Sequence, residues 1–179
     1  MLVYTMNVSA DGFIADREGA FAWSEPSEEQ FRRHLAETRE LGGFLCGRKL
    51  YETMLVWETD PAMRSDELGA AFADAWGALT KVVFSRTLDA VQGNARLAEG
   101  TLQGEVATTA GSTVAIGGAG LAAAAIELDL VDEFHLFRHP IFVGGGTPYL
   151  PPVTEDRHLR LLETTTFQGV IYESYARAR

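Results

Sequence analysis

Cysteine is almost absent from this chain: Cys46 is the only one in 179 residues. One thiol cannot close an internal disulfide, so the fold must rest on packing, which suits a reducing, cytoplasmic setting. Basic residues are also scarce, 15 against 25 acidic, for a net charge of −10. They are scattered, which argues against the clustered Lys/Arg footprint of a nucleic-acid partner. No run of about 18 apolar residues occurs, so no membrane-spanning helix is expected. The first residues enter a strand-like pattern without a basic lead, so no secretory signal is expected. His34, His135, His139 and His158 lack H-E-x-x-H or similar spacing, and no metal site is expected. The G-x-S-x-G turn that exposes a hydrolase nucleophile is missing. Cys46 lies in an apolar run and reads as a small buried hydrophobe. With neither metal nor activated nucleophile, redox chemistry here needs a bound cofactor.

What is present is an ordinary globular composition, 46% hydrophobic and 22% charged. The length suits one domain with a full core, and no repeat, linker or low-complexity segment divides it. Residues 2–8 are apolar and β-rich, and Ser9-Ala-Asp-Gly12 turns the chain into a loop over 13–26. Ser27-Glu-Glu-Gln30 is a capping box that opens a helix to about Leu41, with Phe31, Leu35 and Thr38 inward. A short strand at 44–46, a break at Gly47 and a helix over 48–56 follow. A third helix covers 64–78 and a strand 81–86, while 87–112 has no clear period. Strands are expected at 134–143, 159–166 and 170–176. Alternating strands and helices predict an α/β fold with a mostly parallel sheet. The closing strands lack intervening helices and should pair antiparallel.

The most informative stretch is Thr113–Leu130, read as a strand (Val114–Ile116), a glycine turn (Gly117–Gly120) and a helix. On that helix Leu121, Ala124, Ala125 and Leu128 repeat at i, i+3, i+4 and i+7. Free N–H groups and the positive helix end suit a phosphate. Gly118-Ala119-Gly120-Leu121-Ala122-Ala123 fits the relaxed G-x-G-x-x-A pattern. However, the next strand ends in Arg138 and His139, not in the acid that grips a ribose in Rossmann domains. A different nucleotide-binding fold is expected.

Five segments occur in one order: the strand with Ser9-Ala-Asp-Gly12, Gly47-Arg-Lys-Leu-Tyr-Glu52, Phe84-Ser-Arg86, Ile116-Gly-Gly-Ala119 and Pro140-Ile-Phe-Val-Gly-Gly-Gly146. This set resembles the dihydrofolate-reductase-like family, and within it the stand-alone relatives of the riboflavin-pathway reductase domain (RibD C-terminal type). The resemblance spans nearly the whole chain. It implies a three-layer fold, a mixed sheet between helices with an antiparallel C-terminal strand, and NADPH as cofactor. It also implies a homodimer, in keeping with apolar closing strands that need cover. The Ser-x-x-Trp-Ile-Thr-like and Asp-Asp-Pro-x-Leu segments of the riboflavin enzyme are missing, as are its deaminase domain and the folate enzymes' tail-gripping arginine.

The residues agree with a dinucleotide. Gly47 and Arg48 end a strand and start a helix, where open α/β sheets bind ligands. Arg48 can grip a phosphate as a fork, and the N–H groups of Lys49 and Leu50 can meet a pyrophosphate. Ser85 and Arg86 end a second strand and could hold a 2′-phosphate, which favours NADPH over NADH. By resemblance, the first loop covers the nicotinamide and places Ala10, Asp11 and Ile14 beside it. Trp23-Ser-Glu-Pro-Ser-Glu28 resembles the folate-reductase segment that carries the pterin carboxylate, which puts Glu28 there with Trp23 and Phe31 around the substrate. Glu28 is the first candidate acid and Asp11 the second. The activity the resemblance implies is hydride transfer from NADPH to a heterocyclic or pyrimidine-type substrate, as in 5-amino-6-(5-phosphoribosylamino)uracil reduction. Reduction of a dihydrofolate-type pterin is the alternative, and a non-catalytic NADPH-binding protein is the third reading.

Overall fold

Strand β1 (Leu2–Ser9) runs through the centre of the molecule, with Leu2, Tyr4 and Val8 buried on one face. The computed structural model describes residues 1–178. After β1 come β2 (Phe13–Ala15), α1 (Glu28–Glu40), β3 (Gly43–Gly47), α2 (Arg48–Met54), α3 (Val56–Thr59) and α4 (Glu67–Ala78). Then follow β4 (Lys81–Phe84), β5 (Ala95–Leu97), α5 (Leu102–Thr108), β6 (Val114–Gly117), α6 (Ala119–Glu127) and β7 (Glu133–His139). Strands β8 (Thr147–Pro148), β9 (Leu159–Phe167) and β10 (Val170–Arg177) end the chain.

Eight strands form one sheet in the order β5-β4-β3-β6-β1-β7-β10-β9. All neighbours from β5 to β7 are parallel, and β10 pairs antiparallel with both β7 and β9. The expected mostly parallel sheet with antiparallel C-terminal strands is therefore what the chain builds. One face carries α5 and α6, whose Leu102, Ala122, Ala125 and Ile126 pack on Leu2, Tyr4, Leu45 and Ile116. The other carries α1, α2 and α4, whose Leu35, Tyr51, Phe72 and Trp76 pack on Phe44, Cys46, Val83 and Ala115.

Several boundaries differ from expectation, each for a local reason. The helix expected over 48–56 breaks at Leu55 into α2 and α3. The helix expected from 64 starts at Glu67, because the Asp66 side chain accepts the Gly69 N–H and fixes the cap there. The strand expected to reach 143 stops at His139, before Pro140, which has no N–H for a ladder. The unreadable 87–112 region holds β5 and α5. On α6 the buried stripe is Ala122, Ala125 and Ile126, while Leu128 is 42% exposed.

Lys81, at the start of β4, is buried. Its Nζ lies 2.9 Å from Glu58 Oε1, donates to the Trp76 carbonyl at 2.7 Å and sits over the Trp76 ring. This pins α3 and α4 to the sheet.

Candidate active site

Neighbouring strands β3 and β6 send their chains to opposite faces of the sheet. Cys46 pairs with Gly117, yet α2 packs with one core cluster and α6 with the other. That divergence marks the carboxyl ends of the two strands as the candidate crevice, the place where open α/β sheets bind ligands. Two helix starts border it. Gly47 caps α2 and Gly118 caps α6, neither with a side-chain hydrogen bond. The first N–H groups of both helices thus have no capping side chain. A Cβ on Gly47 or Gly120 would meet nothing within 4 Å, so the backbone there faces open space. Gly118 has φ +88°, a conformation that favours glycine.

The two strand ends read as a phosphate pair are in contact. Arg48 Nη1 donates to Thr87 Oγ1 at 2.9 Å, and the Thr87 N–H donates to Ser85 Oγ at 3.1 Å. Arg48 Nε also lies 3.0 Å from Glu52 Oε1. Lys49 and Arg86 are exposed beside this chain of contacts. Leu50 turns inward and meets Gly117 across the crevice. Ala119 and Gly120, expected in the turn, open α6, and Leu121 lies on that helix as expected.

The first loop is tied to the glycine turn. The Asp11 carboxylate accepts from Ser9 Oγ at 2.6 Å, from the Gly144 N–H at 2.8 Å and from the Val143 N–H at 3.2 Å. The Ser9 hydroxyl first, then these backbone N–H groups, hold its pKa below the usual carboxylate range. Asp11 therefore anchors the loop in ionised form. The Ala10 N–H donates to the Ile141 carbonyl, and Ile14 packs on the α6-side core. The turn Gly144–Gly146 is structural: a Cβ on Gly146 would come within 2.1 Å of the Ala15 carbonyl oxygen.

The surroundings expected for Glu28 are corrected. It is the first residue of α1, exposed, and pairs with Arg32 one turn on. It is not buried beside Trp23 and Phe31, because α1 turns Gln30 and Phe31 inward and leaves Glu28 and Glu29 outside. Phe31 lies between Trp57 and Phe72, with ring centroids 5.5 and 5.1 Å away. Trp23 meets His139 edge-on at 5.8 Å. The capping box is half formed: Ser27 Oγ accepts the Gln30 N–H, but the Gln30 side chain turns inward.

Sequence reasoning missed the most buried residue of α1. Gln30 is fully buried, and its Nε2 donates to Asn7 Oδ1 at 2.9 Å and lies 3.3 Å from His34 Nε2. His139 Nε2 lies 3.1 Å from the same Asn7 oxygen. Burial pushes His34 down to about 4, helped by His139 and Arg33 nearby, and burial also lowers His139. A polar stripe, Gln30, His34 and Glu37 at i, i+4 and i+7, thus faces the sheet. The three positions share a helical period beside Phe31, Leu35 and Thr38, but their polar side chains give no inward signal. Cys46 is buried, and burial pushes its thiol up to about 12, so it is no nucleophile.

This layering and crevice define a dihydrofolate-reductase-like α/β protein. The family model of the RibD C-terminal domain matches residues 1–115 and 105–172. The chain belongs to that family. It is 28% identical over 97% of its length to the protein YyaP of Bacillus subtilis, 93% of which is covered. A crystal structure of a riboflavin biosynthesis protein from Shewanella sp. PV-4 superposes with a TM-score of 0.79, at 22% identity, covering 99% of each chain. Dihydrofolate reductase from Enterococcus faecalis, solved with NADP(H), superposes at 0.64, with 15% identity over 100% of this chain and 97% of that one. A deaminase/5-amino-6-(5-phosphoribosylamino)uracil reductase from Thermotoga maritima superposes at 0.67, with 16% identity over 99% of this chain and 56% of that one, a likeness of fold. No helix of the described residues is long and apolar enough to cross a membrane.

Proposed function

We propose that this chain is an NADPH-dependent reductase that delivers a hydride to a pyrimidine-type heterocycle. The observation that carries this reading is the divergence of β3 and β6, which sets two helix starts and Arg48 around one crevice. The residues fit a dinucleotide: Gly47 and Gly120 face open space, and the first N–H groups of α2 and α6 have no capping side chain. Lys49 and Leu50 on one side and Gly117 to Leu121 on the other would take the pyrophosphate through backbone N–H groups. Arg48, Ser85 and Arg86 would take the 2′-phosphate. Ala10 and Ile14 would border the nicotinamide, and Trp23 and Phe31 the substrate ring. When bound, NADPH supplies the hydride; the protein orients the two rings and excludes water.

The reading extends to proton supply and assembly. Glu28, exposed at the start of α1, relays a proton through water from the rim, while Asp11 holds the loop. Two copies pair through the exposed apolar side chains of β9.

The cofactor is tested by titrating NADPH and NADH into the chain and into Arg48→Ala. NADPH is expected to bind more tightly, and the variant to lose about one to two decades for NADPH only. Equal affinity for both dinucleotides in the native chain overturns the reading. NADPH oxidation with a panel of aminopyrimidines and pterins then separates the pyrimidine reductase from a pterin reductase and from a non-catalytic binder.

A further inference from the structure

The loop between β4 and β5, residues 85–94, is held at two points by a single turn of α2. At its near end Ser85 Oγ accepts the Thr87 and Leu88 N–H groups, both at 3.1 Å, and Arg48 Nη1 donates to Thr87 Oγ1 at 2.9 Å. Further along, the Tyr51 hydroxyl accepts the Gln92 N–H at 2.8 Å and donates to the Gln92 carbonyl at 3.3 Å. Arg48 and Tyr51 stand at i and i+3, so both side chains leave the same face of the helix. Among the described residues no other hydrogen bond reaches the backbone of residues 89–93. The next hold, from the Asn94 N–H to Glu58 Oε2 at 3.3 Å, falls where β5 begins.

The two holds differ in kind. Arg48 and Thr87 are exposed, and their contact joins groups that a phosphate would itself engage. Tyr51 is buried, with its ring in the cluster of Phe44, Phe72 and Trp76. Its hydroxyl uses donor and acceptor on one backbone residue, which fixes both the position and the direction of the loop there. Leu88 and Val91 lie against the same cluster and carry the loop between the two points. A loop with so few backbone hydrogen bonds opens locally once an anchor is lost. Ordering it again on binding then lowers affinity.

We propose that Tyr51 is a positioning residue for the 2′-phosphate of the cofactor. Its phenol fixes the far end of the loop, and the loop then presents Ser85 and Arg86 beside Arg48 before any ligand arrives. Tyr51 acts through the loop, not on the cofactor. This rests on the reductase reading above and adds a second source for the preference between dinucleotides: a preorganised loop as well as its cations. NADH lacks the group that the loop meets, so loosening the loop leaves NADH almost untouched.

The test is Tyr51→Phe, which removes the hydroxyl and keeps the ring in its cluster. Gln92 is exposed, so water replaces the lost partner and the chain still folds. Calorimetry compares two pairs of probes that differ by a 2′-phosphate: NADPH with NADH, and adenosine 2′,5′-bisphosphate with adenosine 5′-monophosphate. The native chain is expected to bind the 2′-phosphorylated member of each pair more tightly. Tyr51→Phe is expected to weaken that member about tenfold and the other by less than about twofold. In an Arg86→Ala background the same change should have a smaller effect, since both residues act on one contact. Hydrogen exchange of the free chain should speed up over residues 85–92 in Tyr51→Phe. Equal weakening of both members of a pair makes Tyr51 merely structural and overturns the proposal, as does unchanged exchange over 85–92. A native preference that Tyr51→Phe keeps in full sinks the proposal alone. A native chain that prefers neither member of either pair sinks the NADPH reading and the proposal with it.

Discussion

Gly117 sits directly against Leu50: a Cβ on the glycine would come within 2.3 Å of Leu50 Cδ2 and 2.9 Å of Phe44 Cζ. The last residue of β6 and the first turn of α2 thus share one space. The absence of a side chain at Gly117 lets the two walls of the crevice meet at its floor. Gly117→Ala should destabilise the protein by about 1–3 kcal/mol, the usual scale of overpacking. Urea unfolding reads this as a lower midpoint at unchanged slope. Adding Leu50→Ala should recover part of the loss, as expected for residues in contact. A Gly117→Ala midpoint equal to the native one contradicts the close approach.

Gly118 presents a different constraint. Its φ of +88° strains any L side chain, and it caps the helix proposed to face the pyrophosphate. Gly118→Val should abolish NADPH binding in a chain that still folds, and Gly118→Ala should weaken it in the same direction. Circular dichroism checks the fold and a fluorescence titration the affinity. Native affinity in both variants would make the turn structural only.

His34 makes stability depend on pH. Its folded value, about 4, lies below the ordinary value of 6.5. The unfolded chain therefore binds more protons between these limits, and stability rises with pH across them. The contribution is complete above about pH 6.5 and is lost as pH falls through 4. The full loss is of the order of 3 kcal/mol. His139 shifts in the same direction and adds to the slope. Unfolding midpoints measured from pH 7.5 to 4.5 should fall in the native chain, and fall less steeply in His34→Gln. Identical pH profiles would remove His34 as the cause.

Strand β9 bears on assembly. It lies at the sheet edge, bonded only to β10, with Leu159, Leu161 and Leu162 between 38% and 52% exposed. An exposed apolar edge of this length invites a second copy. Light scattering at micromolar concentration should give twice 19.5 kDa, and Leu161→Lys should give the monomer. A native particle of 19.5 kDa refutes the pairing.

Strong periods and turn chemistry made most of the sheet readable. β1, α1, β4 and β10 fall where apolar patterning and caps place them, and the Asp-Gly turn and the glycine run at 117–118 mark real chain reversals. On α6 the expected Leu121, Ala124 and Ala125 do face the core, but Leu128 does not, and the buried Ala122 was indistinguishable within four alanines in a row. β5 is three residues long, and α5 carries a glycine in its first turn, so neither offers a period. Gln30 was missed for another reason. Its burial depends on Asn7, 23 residues away, which in turn holds His139, 132 residues from it in sequence. Local pattern assigns a glutamine to solvent; only tertiary partners place it inside. Glu28 shows the reverse: burial beside Trp23 and Phe31 was expected, while the helix phase leaves it exposed on Arg32.

That placement sharpens the last prediction, on the two carboxylates. A hydride added to a C=N bond must be matched by a proton at nitrogen. Glu28 is too exposed to grip a ring, but an exposed carboxylate at the start of α1 can pass a proton through water. Glu28→Gln keeps the shape and removes the titratable carboxylate, together with its exposed pair to Arg32. It should leave NADPH affinity unchanged and lower turnover by about 100-fold, the usual scale for such help. Asp11→Asn should act differently. Its carboxylate receives the Ser9 hydroxyl and two backbone N–H groups, so the loss should appear as lower stability and a looser first loop, with a raised KM. Unchanged turnover in Glu28→Gln, with a fall in turnover but not in stability for Asp11→Asn, would move the relay to Asp11. No loss of turnover in either variant would mean that solvent alone supplies the proton, and the carboxylate relay would be wrong.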